Sequence, residues 1–189
     1  ESRWDSNLYY SPFYQEGKTI SKWGGFIDGI EYFDAEYFKI SQEDAPFIDP
    51  LIRQFFEISV KTFNDAGYEK KELWNKKIGV FVGARTGGYS SRFDKFSKNS
   101  IIGIGQNFIA AHVSHYFNLK GVNMVVDTAC SSSLVSLHLA CKSLMVGECE
   151  MALAGGVDIL LDEKSYIMLS EAKALSPDGK CHTFDEKAN

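Results

Sequence analysis

The sequence predicts an α/β fold with a largely buried sheet, on three observations. Short apolar runs at 78–82, 122–126 and 151–157 alternate with helical patterns at 100–117, 134–146 and 164–175. Those runs carry few polar residues, as strands covered on both faces do. The stretch Leu134 to Val146 has apolar or small residues on nearly every side, so this helix is expected at the centre of the protein.

Taken in order, residues 1–48 are rich in aromatics (Trp4, Tyr9, Tyr10, Phe13, Tyr14, Trp23, Phe26) without sustained periodicity, which suggests an ordered wrapping segment with short pieces of structure. Asp49 then caps a helix and Pro50 suits its first turn. Leu51, Phe55, Ile58, Phe63 and Ala66 recur at helical intervals up to a stop at Gly67. Ile78 to Val82 reads as a buried strand ending at Gly83. From Gly83 to Ser90 the chain nearly satisfies a phosphate-loop pattern, but Tyr89 stands where the lysine must be, so the loop is read as a glycine-bearing turn. The helix over 100–117 has glycines at 103 and 105 that allow close packing. The strand 122–126 leads into Asp127-Thr128-Ala129-Cys130-Ser131-Ser132-Ser133, and Gly147 ends the helix that follows. A strand and turn over 151–158, a helix over 164–175 and the turn Ser176-Pro177-Asp178-Gly179 complete the chain.

Composition narrows the function. The chain has 189 residues, 44% of them hydrophobic, and a net charge of -5; its 20 Lys and Arg are dispersed, which argues against a nucleic-acid partner. No apolar run approaches the roughly 20 residues needed to span a bilayer, and the N-terminus lacks signal-peptide character, so neither membrane insertion nor export is expected and the location is read as cytoplasmic. Cys130, Cys141, Cys149 and Cys181 form no C-x-x-C pair, and His112, His115, His138 and His182 have no ligand spacing with them; no metal site is expected. Cys141 and Cys149 read as core or structural thiols.

Cys130 is the candidate site. An apolar strand stops, a cysteine appears among small residues, and a helix begins, the arrangement of a nucleophile on a strand-to-helix turn. Free N–H groups in the first helical turn favour the thiolate over a thiol of pKa roughly 8.5, and they also suit a developing oxyanion, with the backbone N–H of Cys130 itself among the candidates. A buried thiol at a small-residue helix start is the competing reading. A cysteine hydrolase is disfavoured, because no Cys, His, Asp/Asn constellation is apparent.

With these motifs placed, the chain resembles the β-ketoacyl synthase family of the thiolase superfold, specifically the ketosynthase domains of modular polyketide synthases. The resemblance rests on Asp127 to Leu134 and, in the family's order, on Arg3-Trp4-Asp5, Trp23-Gly24-Gly25-Phe26, Phe33-Asp34, Asp49-Pro50 with Arg53, Gly79 to Gly83, Gly155-Gly156-Val157 and Leu175 to Gly179. Gly17-Lys18-Thr19 and the ending Gly179 to Asp185 look most like bacterial assembly lines whose acyltransferase acts in trans. The resemblance implies a thiolase-like α/β domain with a mixed sheet and a buried central helix, part of a layered αβαβα architecture, of which residues 1–189 are an internal segment lacking the start and the C-terminal half. It implies that Cys130 accepts an acyl chain from the phosphopantetheine of an acyl carrier protein, for decarboxylative condensation with a malonyl-type extender. No cofactor binds directly. The implied partners are acyl carrier proteins, the remainder of the domain and a second copy in a homodimer.

The family's two catalytic histidines belong to the later half, so none of the four here is expected to act, and the segment alone is expected to be inactive and to expose core surface. A non-elongating ketosynthase that only passes acyl chains on, and a non-catalytic dimer-forming or carrier-binding relative, are the alternatives. Leu51-Ile52 stand where the family has paired glutamines, Gly121-Val122-Asn123 where Gly-Pro-Ser is common, and Ala111-His112 where Asn-Arg is expected.

Overall fold

A computed structural model of the chain describes residues 3–188. In chain order its elements are α1 (Ser6–Tyr9), α2 (Pro50–Asp65), α3 (Lys70–Leu73), β1 (Ile78–Ala84), α4 (Ser100–Ile104), α5 (Phe108–Phe117), β2 (Asn123–Val126), α6 (Ser132–Met145), β3 (Met151–Val157) and α7 (Lys164–Glu171). They gather into two compact units, one of residues 29–159 and one of residues 3–28 with 160–188.

The unit 29–159 is built on a three-stranded sheet in the order β2-β1-β3. All three described strands are parallel. Every residue of the central β1 is buried. Strand side chains alternate between faces, and the two faces of β1 differ. Ile78, Val80, Val82 and Ala84 join the apolar core with Phe55, Phe56 and Phe63 of α2 and Ile109, Val113 and Phe117 of α5. Gly79, Phe81 and Gly83 alternate with them and face α6.

Helix α2 begins as its sequence dictates, with the Asp49 carboxylate accepting the Leu51 N–H at 2.9 Å and Pro50 in the first turn. Its buried face is Leu51, Ile52, Phe55, Phe56, Ser59 and Phe63; Ile58, expected inside, is exposed. Asp49→Ala is expected to cost about 1 kcal/mol through loss of the cap, read as a lower midpoint of denaturant unfolding.

The helix expected over 100–117 is two helices. In a continuous helix the Gly103 carbonyl would accept the N–H four residues on. Here it accepts the Asp49 N–H at 2.7 Å, and Gly105 leaves the helix in an extended conformation before α5 starts. The tight approach of Gly103 to the Phe47 backbone agrees with the expected packing role of that glycine. Helix α7 is likewise shorter than expected, ending where Lys173 adopts a left-handed φ of 54°.

Helix α6 faces the sheet with Ser132, Ser136, Ala140 and Ser143, all buried. Its large apolar residues point away: Leu134 is 71% exposed, and Leu137, Leu144 and Met145 are exposed with it. Among the described residues α6 is therefore covered mainly on its small-residue face.

In the unit of residues 3–28 and 160–188, Trp4, Phe26 and Tyr166 form an aromatic cluster with ring centroids 5.6–6.4 Å apart. Arg3 lies over the Phe26 ring and donates to the carbonyls of Ile27 and Leu160. Tyr166 Oη donates to the Trp23 carbonyl at 2.8 Å, and Gly179 packs against the Trp23 indole. The Arg-Trp-Asp, Trp-Gly-Gly-Phe and Ser-Pro-Asp-Gly stretches thus meet in one place.

Candidate active site at the strand ends

Three parallel strands bring their C-terminal ends to one edge of the sheet, the edge at which open α/β sheets bind ligands. Each strand is followed at once by a charged residue: Arg85 after β1, Asp127 after β2 and Asp158 after β3. Since β1 is central and pairs Gly83 with Val126 and Ala84 with Val157, Arg85 emerges between two acids. It engages Asp127 as a fork: Nε donates to Oδ2 at 3.0 Å and Nη2 to Oδ1 at 3.3 Å. The Arg85 bond, with the Ala129 N–H behind it, holds the Asp127 carboxyl below the usual carboxylate range. Asp127 in turn raises the Arg85 pKa, and the charge of Asp158 adds to that.

Asp127 Oδ1 also accepts the Ala129 N–H at 3.0 Å. Ala129 has φ 55°, a left-handed conformation that costs a residue with a Cβ roughly 1–2 kcal/mol. The neighbouring hydroxyls close the same turn. Ser131 Oγ donates to the Thr128 carbonyl at 2.8 Å; Ser132 Oγ accepts the Thr128 N–H at 2.9 Å and donates to the Ala129 carbonyl at 2.6 Å. Cys130 sits inside this bonded turn, one residue before the Ser131 N-cap of α6, at the positive end of that helix, and is exposed.

The start of α6 lies directly on the sheet because two glycines make room for it. A Cβ on Gly83 would stand 2.5 Å from the Ser132 carbonyl carbon, and one on Gly156 would stand 2.8 Å from Ser133 Cβ. Ser136, wholly buried, donates to the Gly155 carbonyl at 3.1 Å and ties the next turn of α6 to β3.

The strand, turn and helix expected around Cys130 are all present. The other candidate residues lie elsewhere. Cys149 is buried with Sγ 3.5 Å from Ser143 Oγ, as a core thiol should be, whereas Cys141 is exposed, because the outer face of α6 is uncovered. His112 is on α5 with Nε2 2.9 Å from the Ile102 carbonyl, beside Phe56 and Phe108, and burial lowers its pKa. His115 is on α5, His138 is exposed on α6, and His182 pairs with Asp178 at 2.9 Å in the other unit. Of residues 83–90, Gly83 and Ala84 complete β1 and the rest leave it as a turn, with Gly88 at φ 71°. Sequence reasoning missed Arg85 and the spacing role of Gly83 and Gly156. The charged residue directly after each apolar strand was the available sign. Among the described residues no cluster of His, Cys, Asp or Glu is placed to hold a metal ion, and no helix is long and apolar enough to cross a membrane.

The family model for the beta-ketoacyl synthase N-terminal domain matches residues 1–189. The chain belongs to the β-ketoacyl synthase family. Polyketide synthase PksL of Bacillus subtilis (strain 168) is 42% identical over 189 residues, covering 100% of this chain and 4% of PksL. Polyketide synthase ThaG of Burkholderia thailandensis is 41% identical over 188 residues, covering 96% of this chain and 3% of ThaG. Among solved structures, the ketosynthase from module 6 of the bacillaene synthase of Bacillus subtilis 168 superposes with a TM-score of 0.89 at 40% identity, covering 100% of this chain and 31% of that one. The oxazolomycin ketosynthase domain OzmH KS7 of Streptomyces albus JA3453 gives 0.87 at 36% identity, covering 99% of this chain and 33% of that one. This β-ketoacyl synthase chain therefore has the thiolase-like ketosynthase fold and spans about a third of the solved ketosynthases it matches.

Proposed function

We propose that Cys130 is the acyl-accepting nucleophile of a polyketide ketosynthase, with residues 1–189 forming part of one such domain. The observation that carries the reading is an exposed cysteine in a strand-to-helix turn held by hydrogen bonds of Thr128, Ala129, Ser131 and Ser132, at the positive end of a fourteen-residue helix. In the first step the Cys130 thiolate attacks the thioester carbonyl of an acyl group borne on the phosphopantetheine of an acyl carrier protein. The new C–S bond forms as the carrier's C–S bond breaks, and the carrier thiolate leaves. In the second step a malonyl-type thioester on another carrier loses carbon dioxide, and its carbanion attacks the acyl-Cys130 carbonyl. One C–C bond forms and the Cys130 thiolate is released. The Cys130 N–H is proposed as one oxyanion donor.

The decarboxylating histidines are proposed to lie outside these residues, so the 189-residue chain alone gives no condensation. The setting is proposed to be a cytoplasmic, homodimeric synthase of the type whose acyltransferase acts in trans. The names of PksL, ThaG and the bacillaene ketosynthase support a polyketide setting.

The test uses the full-length polypeptide that contains residues 1–189. Incubation with acyl carrier protein should give an acyl adduct that peptide mass spectrometry maps to Cys130. Addition of malonyl carrier protein should then give a β-ketoacyl carrier. Loading without that product would refute condensation and leave acyl transfer; no loading would refute both.

A further inference from the structure

We infer that Arg85 is a positioning residue for Cys130, acting through Asp127 on the left-handed Ala129. The inference rests on the proposed role of Cys130 and adds to it a residue that the active-site stretch itself does not contain.

The geometry forms a short chain of contacts. Ala129 immediately precedes Cys130, and its left-handed backbone directs the chain into the turn that carries the sulfur. Left-handed alanine persists only where its surroundings enforce it. Three groups do so here. Ser131 and Ser132 bond the turn to itself at the start of α6. Asp127 Oδ1 holds the Ala129 N–H from the end of β2. Of the three, only Asp127 reaches a side chain outside the turn, Arg85, whose exposed guanidinium is borne on the residue that follows the fully buried central strand.

Without Arg85, the Asp127 side chain, 31% exposed, keeps only the Ala129 N–H to orient it. With it, both oxygens are placed by a planar fork. Arginine suits the task better than lysine because the fork fixes orientation as well as charge. Asp158 stands at the end of β3 on the other side, yet the guanidinium bonds Asp127. Arg85 lies toward the elbow.

The test compares Arg85→Met, Arg85→Lys, Asp127→Asn and the double variant R85M/D127N in the full-length polypeptide, with thermal midpoints as folding controls. Two rates are read at Cys130: alkylation by iodoacetamide and loading from acyl carrier protein. Arg85→Met should slow loading by about 10²-fold, the scale of misplacing a reacting group by an ångström, with the KM for acyl carrier protein unchanged. Arg85→Lys should recover part of the rate. Asp127→Asn keeps an acceptor for Ala129 but turns an amide toward the guanidinium, and should match Arg85→Met. The double variant should be no slower than either single one, since both break one contact.

Wild-type loading in R85M and D127N, a loss confined to KM, or additive losses in the double variant would overturn the inference. Alkylation separates the two readings. If wild-type Cys130 never loads, the ketosynthase proposal fails; slower alkylation in R85M and D127N then still supports the positioning role, and unchanged alkylation refutes it.

Discussion

Cys130→Ala is expected to abolish acyl loading while leaving the protein folded. Removing a nucleophile from a group of residues that act as a unit costs about 10⁶-fold in model enzymes, so loading should fall below detection by intact mass. Stability should change little, within about 0.5 kcal/mol, because the side chain is exposed and the turn around it is held by Asp127, Ser131 and Ser132 rather than by the sulfur. The necessary comparison is with Cys141→Ala and Cys181→Ala. Both of these thiols are also exposed, so exposure alone does not single out Cys130. They should load at the wild-type rate. Residual loading in Cys130→Ala, or its loss in Cys181→Ala, would place the acceptor elsewhere.

Most of what surrounds Cys130 is legible in the sequence because it is local. A strand stopping at Val126, small residues through Ser133 and a helical pattern to Val146 specify the turn without knowledge of distant residues, and β2, the bonded turn and α6 follow that order. The Asp49 cap is visible for the same reason. What was missed depends on contacts across the chain. Nothing near Ser100 announces that the Gly103 carbonyl is taken by Asp49, so one helix was expected where two form. Nothing near Cys130 announces Arg85, 42 residues before Asp127, because the register of β1 on β2 decides that meeting. Which side of α6 meets the sheet is set by distant residues as well. Apolar or small residues stand on nearly every side of this helix, and the sheet takes the small ones, Ser132, Ser136, Ala140 and Ser143, since Gly83 and Gly156 bring helix and strands close together.

That closeness carries the second prediction. Gly83→Ala is expected to damage the elbow more than its one added methyl suggests. The new Cβ would lie 2.5 Å from both the Ser132 carbonyl carbon and the Ser133 nitrogen, and 2.7 Å from the Ser132 oxygen. These are backbone atoms, which cannot rotate away as a side chain can. Strand β1 cannot yield either, being buried along its whole length with a paired strand on each side. The first turn of α6 must therefore lift, which strains the bond from Ser136 to the Gly155 carbonyl and displaces the turn that holds Cys130. Overpacking of this kind costs about 1–3 kcal/mol and more where the neighbours are rigid, out of a total stability of about 5–15 kcal/mol. The expected result is a clear drop in the thermal midpoint together with loss of Cys130 loading. Gly156→Ala should be milder, because its nearest neighbours, Ser133 Cβ at 2.8 Å and the Gly83 oxygen at 3.2 Å, leave more room than the three backbone atoms within 2.7 Å at Gly83. Gly25→Ala, with nothing within 4 Å of the added carbon, should leave both readouts unchanged. If Gly83→Ala instead matched Gly25→Ala, α6 would be free to shift on the sheet, and the rigid seating of the elbow on β1 would be wrong.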